Sequence, residues 1–570
     1  MLNREMRDFN RLCLILTLLA LRSAGLSSQA HNGVTSFQSP VDYPITLAGN
    51  FGEPRPHHFH GGLDIKTDGR EGKHIYAIGD GYVSRVTMGL YGFGNAVYVT
   101  HPEGVTSVYC HLKAFSPRIK AALRRYQYRH QTSVADARLS PMDVPVSQGQ
   151  LIALSGNTGN STAPHLHLEI HDTRTWHMLD PYAFLAHAIN DTVAPMAHGL
   201  MVLPQEGRGV FNGSSRRQTF GIGTHTIDRS FTAWGEVGFA LWANDYMQGS
   251  YNHYGVRRTT LTVDGREVFS ATVDSIPMAL NRMVNAWGDY SHWLHYRTWY
   301  LKSFAEPGCK LPIIHTDARR GLVVFDEQRD YHLVYQLQDF KGNTSRYSFT
   351  VRGVPDSIPP AQRHGTHLMS CRKTSTFSLP GMQLVVPYGM LAADVWLQPI
   401  ASHREGEWSR RYSFTQESCP LVGDAEISIA IDGWHKDVAV ETTDSSKFYL
   451  TCDGRYAGGA YYQGWVSGRI RDLGAICMIA YDDEPPKVRP LSLSCGRLLL
   501  AVNDDNSGVA SWRATIDGRF VVFDAVEKTH SLVCRLDEAP IRPSGKNHRM
   551  QLIVTDHCHN TTAYETDVTY

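Results

Sequence analysis

The sequence predicts a mainly β protein: an N-terminal antiparallel β domain followed by three β-sandwich modules. Three observations carry this. Short runs of alternating apolar and polar residues, bounded by Gly, Pro, Asn and Asp turns, fill most of the chain beyond about Ala188. A hairpin repeats, with Thr262-Val-Asp-Gly-Arg266 recurring as Thr515-Ile-Asp-Gly-Arg519. Between His60 and Glu169, three clusters of imidazole and carboxylate lie on strand-like segments separated by glycine turns.

At the start of the chain, Arg4, Arg7 and Arg11 precede an apolar run from Leu12 to Leu21. That run is too short to cross a bilayer, and the stretch from Ser28 to Ala30 offers small residues for cleavage. Residues 1–30 therefore read as a secretory signal peptide, and the mature protein is expected in the periplasm or outside the cell. Cys13 stands at the beginning of the apolar run, where a lipid attachment site is not indicated. No later segment is long and apolar enough to span a membrane. Without residues 1–30 the formal charge moves from balanced to about −2, which argues against nucleic acid as a partner. Nine cysteines remain, without C-x-x-C spacing, and the sequence does not reveal their pairing.

The expected N-terminal β domain spans residues 31–189. His60 and Asp64 flank two glycines, which argues against a helix. In extended backbone, positions i and i+4 share a face, so both side chains can enter one groove. His165 and His167 share a face by the same logic at i and i+2, while Leu166 points to the opposite, core face. One imidazole, one carboxylate and a second imidazole leave a fourth position on a tetrahedral zinc ion for water. Spacing alone does not choose between His165 and His167 as the second imidazole.

These residues carry a family resemblance. The segment from about Asn50 to Leu185 resembles the lysostaphin-type, or M23, zinc metallopeptidases, whose signature H-x-x-x-D followed by H-x-H falls on His60, Asp64, His165 and His167. The stretches Ala77 to Val86, Tyr91 to His101 and Val146 to Ile170 are also similar to the family. The resemblance implies one Zn2+ per chain held by His60, Asp64 and His167, with His111 and His165 as catalytic imidazoles. It implies a zinc-activated water attacking peptide cross-links or stem peptides of bacterial peptidoglycan. One imidazole would take the proton of that water and the other would steady the oxyanion, in an order the sequence leaves open. Ala163 and Leu168 depart from the family's usual glycine and phenylalanine without touching a ligand position. Cys110, beside His111, reads as a packed and inert thiol. The reading of a different class is a non-catalytic wall-binding scaffold, or an activator of another hydrolase.

A stretch of about residues 113–143 interrupts the strand pattern. Ile119, Ala122, Leu123 and Tyr126 recur at helical spacing, with Lys120, Arg124 and Arg125 on the other side. Two readings stand: a packed helix with a solvated basic face, or a wall of the substrate groove whose arginines meet acidic stem peptides.

Proline-bearing joints at Asp191 to Pro195, Asp356 to Pro360 and Asp483 to Pro486 divide the remainder into modules at 190–355, 356–484 and 485–570. The first and third look like copies, since Asp339, Asn343 and Tyr347 recur as Asp556, Asn560 and Tyr564 with identical spacing. The middle module shares the hairpin at Ala430 to Trp434, and the interval from Pro277 to Arg320 reads as an insertion in the first copy. Immunoglobulin-like or fibronectin-like sandwiches are expected. Ordinary turn chemistry accounts for their Asp, Asn and Gly residues without a metal. Trp234, Trp242, Trp287, Trp293 and Trp299 read as core residues. The modules would position the enzyme on the wall or on an envelope protein partner.

Overall fold

The computed structural model describes residues 37–89, 92–223, 225–227, 229–432, 443–494 and 496–570. The expected signal peptide lies outside these residues, as do Gly433 and Trp434 of the middle module's hairpin. The described chain is mostly strand. No described helix is long and apolar enough to cross a membrane.

The N-terminal domain is built on an antiparallel sheet. Its strands are β1 (Leu47–Gly49), β2 (Gly62–Lys66), β3 (Gly81–Met88), β4 (Asn95–Thr100), β5 (Val105–Cys110), β6 (Ala135–Arg138) and β7 (His165–Asp172), paired in the order β1-β2-β7-β5-β4-β3-β6. Directly paired residues share a face, so the register sorts the side chains. Leu166 and Leu168 of β7 pair with Ile65 and Leu63 of β2, and Leu168 pairs with Tyr109 of β5. All five are fully buried, and with Val97 and Val99 they form the apolar face. Burying each such side chain contributes about 1.5–3 kcal/mol. On the opposite face His167 pairs with Asp64 on one side and Cys110 on the other. A second small sheet, His74–Tyr76, Leu151–Leu154 and Ala114–Phe115, completes the domain.

The helix α1 (Pro117–His130) begins on a proline, which suits a first-turn position, and buries Ile119, Ala122, Leu123 and Gln127. Its basic side does not face solvent throughout: Lys120 and Arg124 line a cavity of about 520 Å³ together with Asn95, Thr158 and Gly159, and both also meet acids of the last module. Arg124 grips Asp524 through both guanidinium nitrogens at 2.5 and 2.8 Å and meets Glu538 at 3.0 Å. Lys120 also pairs with Glu538, and Tyr128 donates to the Glu538 carbonyl at 3.3 Å. The helix is thus docked on the last module, and of the three basic residues only Arg125 remains exposed. Helical periodicity marked the apolar stripe; the acids that neutralise the other side lie some 400 positions away.

The strands from Met196 to Gly353 surround one core that includes Leu200, Phe239, Leu261, Leu333 and Phe349. They form one continuous sheet instead of two separate ones, because Phe231 to Ala233 pairs in parallel with Val351 to Gly353. Between Ser370 and Tyr481, two five-stranded sheets enclose a second core, and the paired strands Phe448–Cys452 and Cys477–Tyr481 bring Cys452 and Cys477 into a disulfide. Beyond Lys487, two four-stranded sheets enclose a third core. The repeated hairpins have the same backbone: Asp264 and Gly265 in one and Asp517 and Gly518 in the other all have positive φ, as a two-residue type I′ turn requires. Of the five tryptophans, Trp287 is buried, against Phe59, and the other four are half-buried.

The residues after Pro277 serve the N-terminal domain directly. Asn281 Oδ1 accepts from the Phe59 amide at 2.7 Å and Asn285 Oδ1 from the His57 amide at 3.1 Å. The two-residue strands Pro54–Arg55 and His58–Phe59, which lead into His60, are braced by these contacts.

Arg124→Ala is expected to cost about 1–3 kcal/mol at the helix-to-module contact. The expected readout is earlier release of the C-terminal module in limited proteolysis of the full chain. Arg125→Ala leaves the cleavage pattern unchanged.

Candidate metal centre

His60, immediately ahead of β2, and Asp64 within it converge with His167 of β7. His60 Nε2 lies 3.0 Å from Asp64 Oδ1 and 2.9 Å from His167 Nδ1, and His167 Nδ1 lies 2.8 Å from Asp64 Oδ1. All three side chains are buried.

The outward-facing nitrogen of each ring is already engaged. His60 Nδ1 donates to the Asn50 carbonyl at 2.6 Å, and His167 Nε2 donates to Glu169 Oε1 at 2.9 Å. Each inner nitrogen is thereby turned towards the other and towards Asp64. Glu169 is itself fixed by His171, whose Nε2 lies 2.6 Å from Oε2. Carboxylates and carbonyls of this kind fix the tautomer and orientation of metal-bound histidines. Two imidazole nitrogens and one carboxylate oxygen form a donor set that fits a borderline metal ion such as zinc.

The electrostatics agree. Burial pushes His60 down to about 4, against the pull of Asp64. Burial acts on His167 in the same direction, but its hydrogen bonds to Asp64 and Glu169 prevail and raise it to about 9. Burial would raise Asp64, yet the three histidines around it hold it well below the usual carboxylate range. With no cation bound, a proton on His167 Nδ1 would lie among the three donor atoms. Asp64 Oδ2 is held separately, by Arg55 Nη2 at 2.6 Å.

His111 and His165 flank this cluster, with ring centroids 4.9 Å apart, and the His111 ring is 5.8 Å from that of His167. His111 Nδ1 donates to the Thr158 carbonyl at 2.8 Å. Burial, with the neighbouring imidazoles, lowers His111 to about 3. His165 is less buried; its Nδ1 donates to the Ala163 carbonyl at 2.8 Å, and its Nε2 lies 3.3 Å from Asp64 Oδ1. The structure thus brings together all five residues singled out in the sequence. Cys110 is fully buried, and burial, with the fields of Glu169 and Asp64, raises its thiol well above the ordinary range.

Sequence reasoning missed Glu169, His171 and Arg55. The first two were within reach, because β7 alternates His165, His167, Glu169 and His171 on one face. Arg55 carried no local signal. The glycines before Asp64 have a steric cause: a Cβ on Gly61 would lie 2.3 Å from Glu169 Oε1, and one on Gly62 would lie 2.1 Å from the Leu168 carbonyl oxygen. Glu169→Gln leaves His167 with a weaker acceptor, and metal affinity is expected to fall about 10–100-fold in a chelator competition.

Residues 58–181 match the profile of Peptidase family M23, and residues 366–482 match that of the Zu5-like domain. Over 129 residues the chain is 34% identical to an uncharacterized metalloprotease of Haemophilus influenzae, a match covering 23% of this chain and 20% of that one. Over 137 residues it is 31% identical to the peptidoglycan DD-endopeptidase ShyA of Vibrio cholerae, covering 23% and 26%. The chain thus spans between about a fifth and a quarter of the length of these relatives. Among solved structures, a zinc-containing peptidase from Vibrio cholerae is 27% identical, covering 26% of this chain and 40% of that one, with a TM-score of 0.20. The segment that carries His60, Asp64, His111, His165 and His167 is thus similar to peptidase family M23, whose profile it matches over residues 58–181.

Proposed function

We propose that the protein is an exported zinc-dependent endopeptidase that hydrolyses peptide cross-links or stem peptides of bacterial peptidoglycan. The observation that carries this reading is the convergence of His60 Nε2, Asp64 Oδ1 and His167 Nδ1, with the outer nitrogen of each ring already tied down. The substrate class rests on the similarity to the DD-endopeptidase of Vibrio cholerae. Export rests on the charged and apolar pattern of residues 1–30.

His60, Asp64 and His167 would hold one zinc ion. Zinc, when bound, lowers the pKa of a coordinated water to about 7 and polarises a carbonyl oxygen. The protein's own groups divide the remaining work. His111 is neutral throughout the physiological range, and with Nδ1 committed to Thr158 its Nε2 carries a lone pair; it is the base that takes a proton from the attacking water. His165, more exposed and with Nε2 3.3 Å from Asp64 Oδ1, is the group assigned to the oxyanion. Arg55 holds the second oxygen of Asp64 and keeps the first directed into the site.

His111→Ala is expected to lower turnover about 10²–10⁴-fold with zinc content unchanged, and His167→Ala to lose both zinc and activity. Mass spectrometry of muropeptides after incubation with sacculi reads the outcome. Loss of cross-linked species with the native protein alone supports the reading, and the product masses identify the bond. An unchanged profile from zinc-loaded protein replaces it with a wall-binding or activating role.

Zinc uptake also has a proton signature. At pH 7 His167, raised to about 9, is protonated in the metal-free site and must lose its Nδ1 proton to bind. About one proton is expected to be released per zinc, and affinity rises with pH up to about 9. Calorimetry in buffers of different ionisation enthalpy measures both.

A further inference from the structure

The repeated modules contain a second set of convergent oxygen donors, away from the histidines. Asp191 lies in the joint ahead of Met196–Phe211, Asp245 immediately follows Phe231–Asn244, and Asp339 immediately follows Asp330–Gln338. Each offers a carboxylate oxygen within 4.8 Å of those of the other two, and all three residues are buried. Turn chemistry accounts for part of this. Asp191 Oδ1 accepts from the Val193 amide, and Asp339 accepts from the amide and side chain of Asn343 at 2.8 and 2.6 Å.

It does not account for Asp245. That residue is 94% buried, at 6% exposure, and its Oδ1 has no hydrogen-bond partner. A carboxylate oxygen withdrawn from water and left unpaired costs several kcal/mol unless a proton or a cation is supplied. Of the nearby cationic side chains, Arg257 lines the same cavity, stacked over the Phe340 ring at 4.8 Å, and its buried Nε makes no hydrogen bond to these carboxylates, while Lys341 Nζ donates to the Ala186 carbonyl at 2.5 Å. Asp191 and Asp245 border a cavity of about 20 Å³, also lined by Asp180, which is large enough for one small ion or water.

The arrangement recurs in the last module. Asp482, Asp504 and Asp556 converge within the same limit. Asp556 accepts from Asn560 as Asp339 does from Asn343, and Asp504 immediately follows Arg497–Asn503 as Asp245 follows its own strand. The asparagine side chain contacts the first aspartate's carbonyl in both copies, Asn343 to Asp191 at 3.4 Å and Asn560 to Asp482 at 2.8 Å. Turn residues alone do not require three converging carboxylates twice.

We propose that Asp191, Asp245 and Asp339 bind a hard divalent cation of the calcium class. The donors are all oxygen, with no imidazole or thiolate among them, which selects calcium over zinc. Three carboxylates from a joint and two strand ends suit the flexible coordination of calcium, with water completing the shell. The position gives the ion a mechanical role, since it would tie the joint at Asp191 to the strands that follow. Asn50 borders the same cavity; its side chain exchanges two hydrogen bonds with Gly255, each 2.8 Å, and its carbonyl receives His60 Nδ1.

The test is calorimetric titration of the zinc-loaded full chain with calcium chloride, alongside Asp245→Asn. Calcium is expected to bind, and the variant to lose one equivalent while its zinc content is unchanged. Asp245→Asn removes one charge from a repelling cluster, so without calcium it is expected to melt no lower than the native protein. A second readout needs no variant: calcium is expected to slow proteolysis at residues 190–195 relative to chelator-treated protein. Absence of calcium binding, or full native stoichiometry in Asp245→Asn, overturns the assignment, as does proteolysis at the joint that is indifferent to calcium. Those outcomes would mean that the three carboxylates share protons instead.

Discussion

The pairing of His167 with Asp64 across β7 and β2 is the constraint on which the metal centre depends. Side chains alternate along a strand, so a slip of one residue would turn His167, Glu169 and Asp64 to the apolar face and expose Leu166 and Leu168. The register that buries the leucines is therefore the register that assembles the site. Gly61 and Gly62 belong to the same constraint, because the approach of β2 to β7 leaves no room for a Cβ at either position. The two glycines between His60 and Asp64 mark where the backbone must lie against Glu169.

Around that strand pair, the appended modules act as framework more than as tethers. The hairpin bearing Arg55 is braced by Asn281 and Asn285, which come from beyond residue 275, and β1 is tied to the loop after Asn244 by Tyr254, whose hydroxyl donates to the Leu47 carbonyl at 2.9 Å. On the other side, α1 is clamped to the last module through Arg124, Asp524 and Glu538. Groups on opposite flanks of the N-terminal sheet are thus held by segments hundreds of residues away in the chain. Half-buried bidentate pairs of this kind retain more of their Coulomb energy than exposed ones, because water screens them less.

What could be read in the sequence follows the range of each interaction. The mainly β class was legible from alternation and turns, and His60, Asp64, His165 and His167 stood out because the spacing within each pair is local to one strand, whereas His111 was singled out through the family resemblance. Asp264-Gly265 and Asp517-Gly518 were legible because a type I′ turn places a demand on two adjacent residues. Glu169 and His171 were legible in principle, from the period-two continuation of His165 and His167. Arg55 was not, although Asp64 lies only nine residues on, because no strand or helix period links the two; Asn281 and the acids that meet Arg124 were not, since nothing near them in sequence records a partner distant along the chain. The continuous sheet of the first repeat escaped for the same reason, because it depends on a three-residue parallel pairing between Phe231 and Val351 that no alternation pattern encodes.

The charge balance of the site bears on how it would take up a cation. Asp64 and Glu169 are both held ionised, and the positive charges that face them are the proton on His167 and the guanidinium of Arg55. With that proton in place, each inward-facing carboxylate oxygen has a partner. A small zinc module, in contrast, has no such internal substitute and unfolds when its metal is withdrawn. Here the apolar face of the sheet and its bracing modules carry the fold, so binding of a metal ion would exchange it for one proton among donors that the sheet register already brings together. Binding energy that would otherwise be spent on ordering three ligands remains available for affinity, and the donors begin in the orientation they must keep.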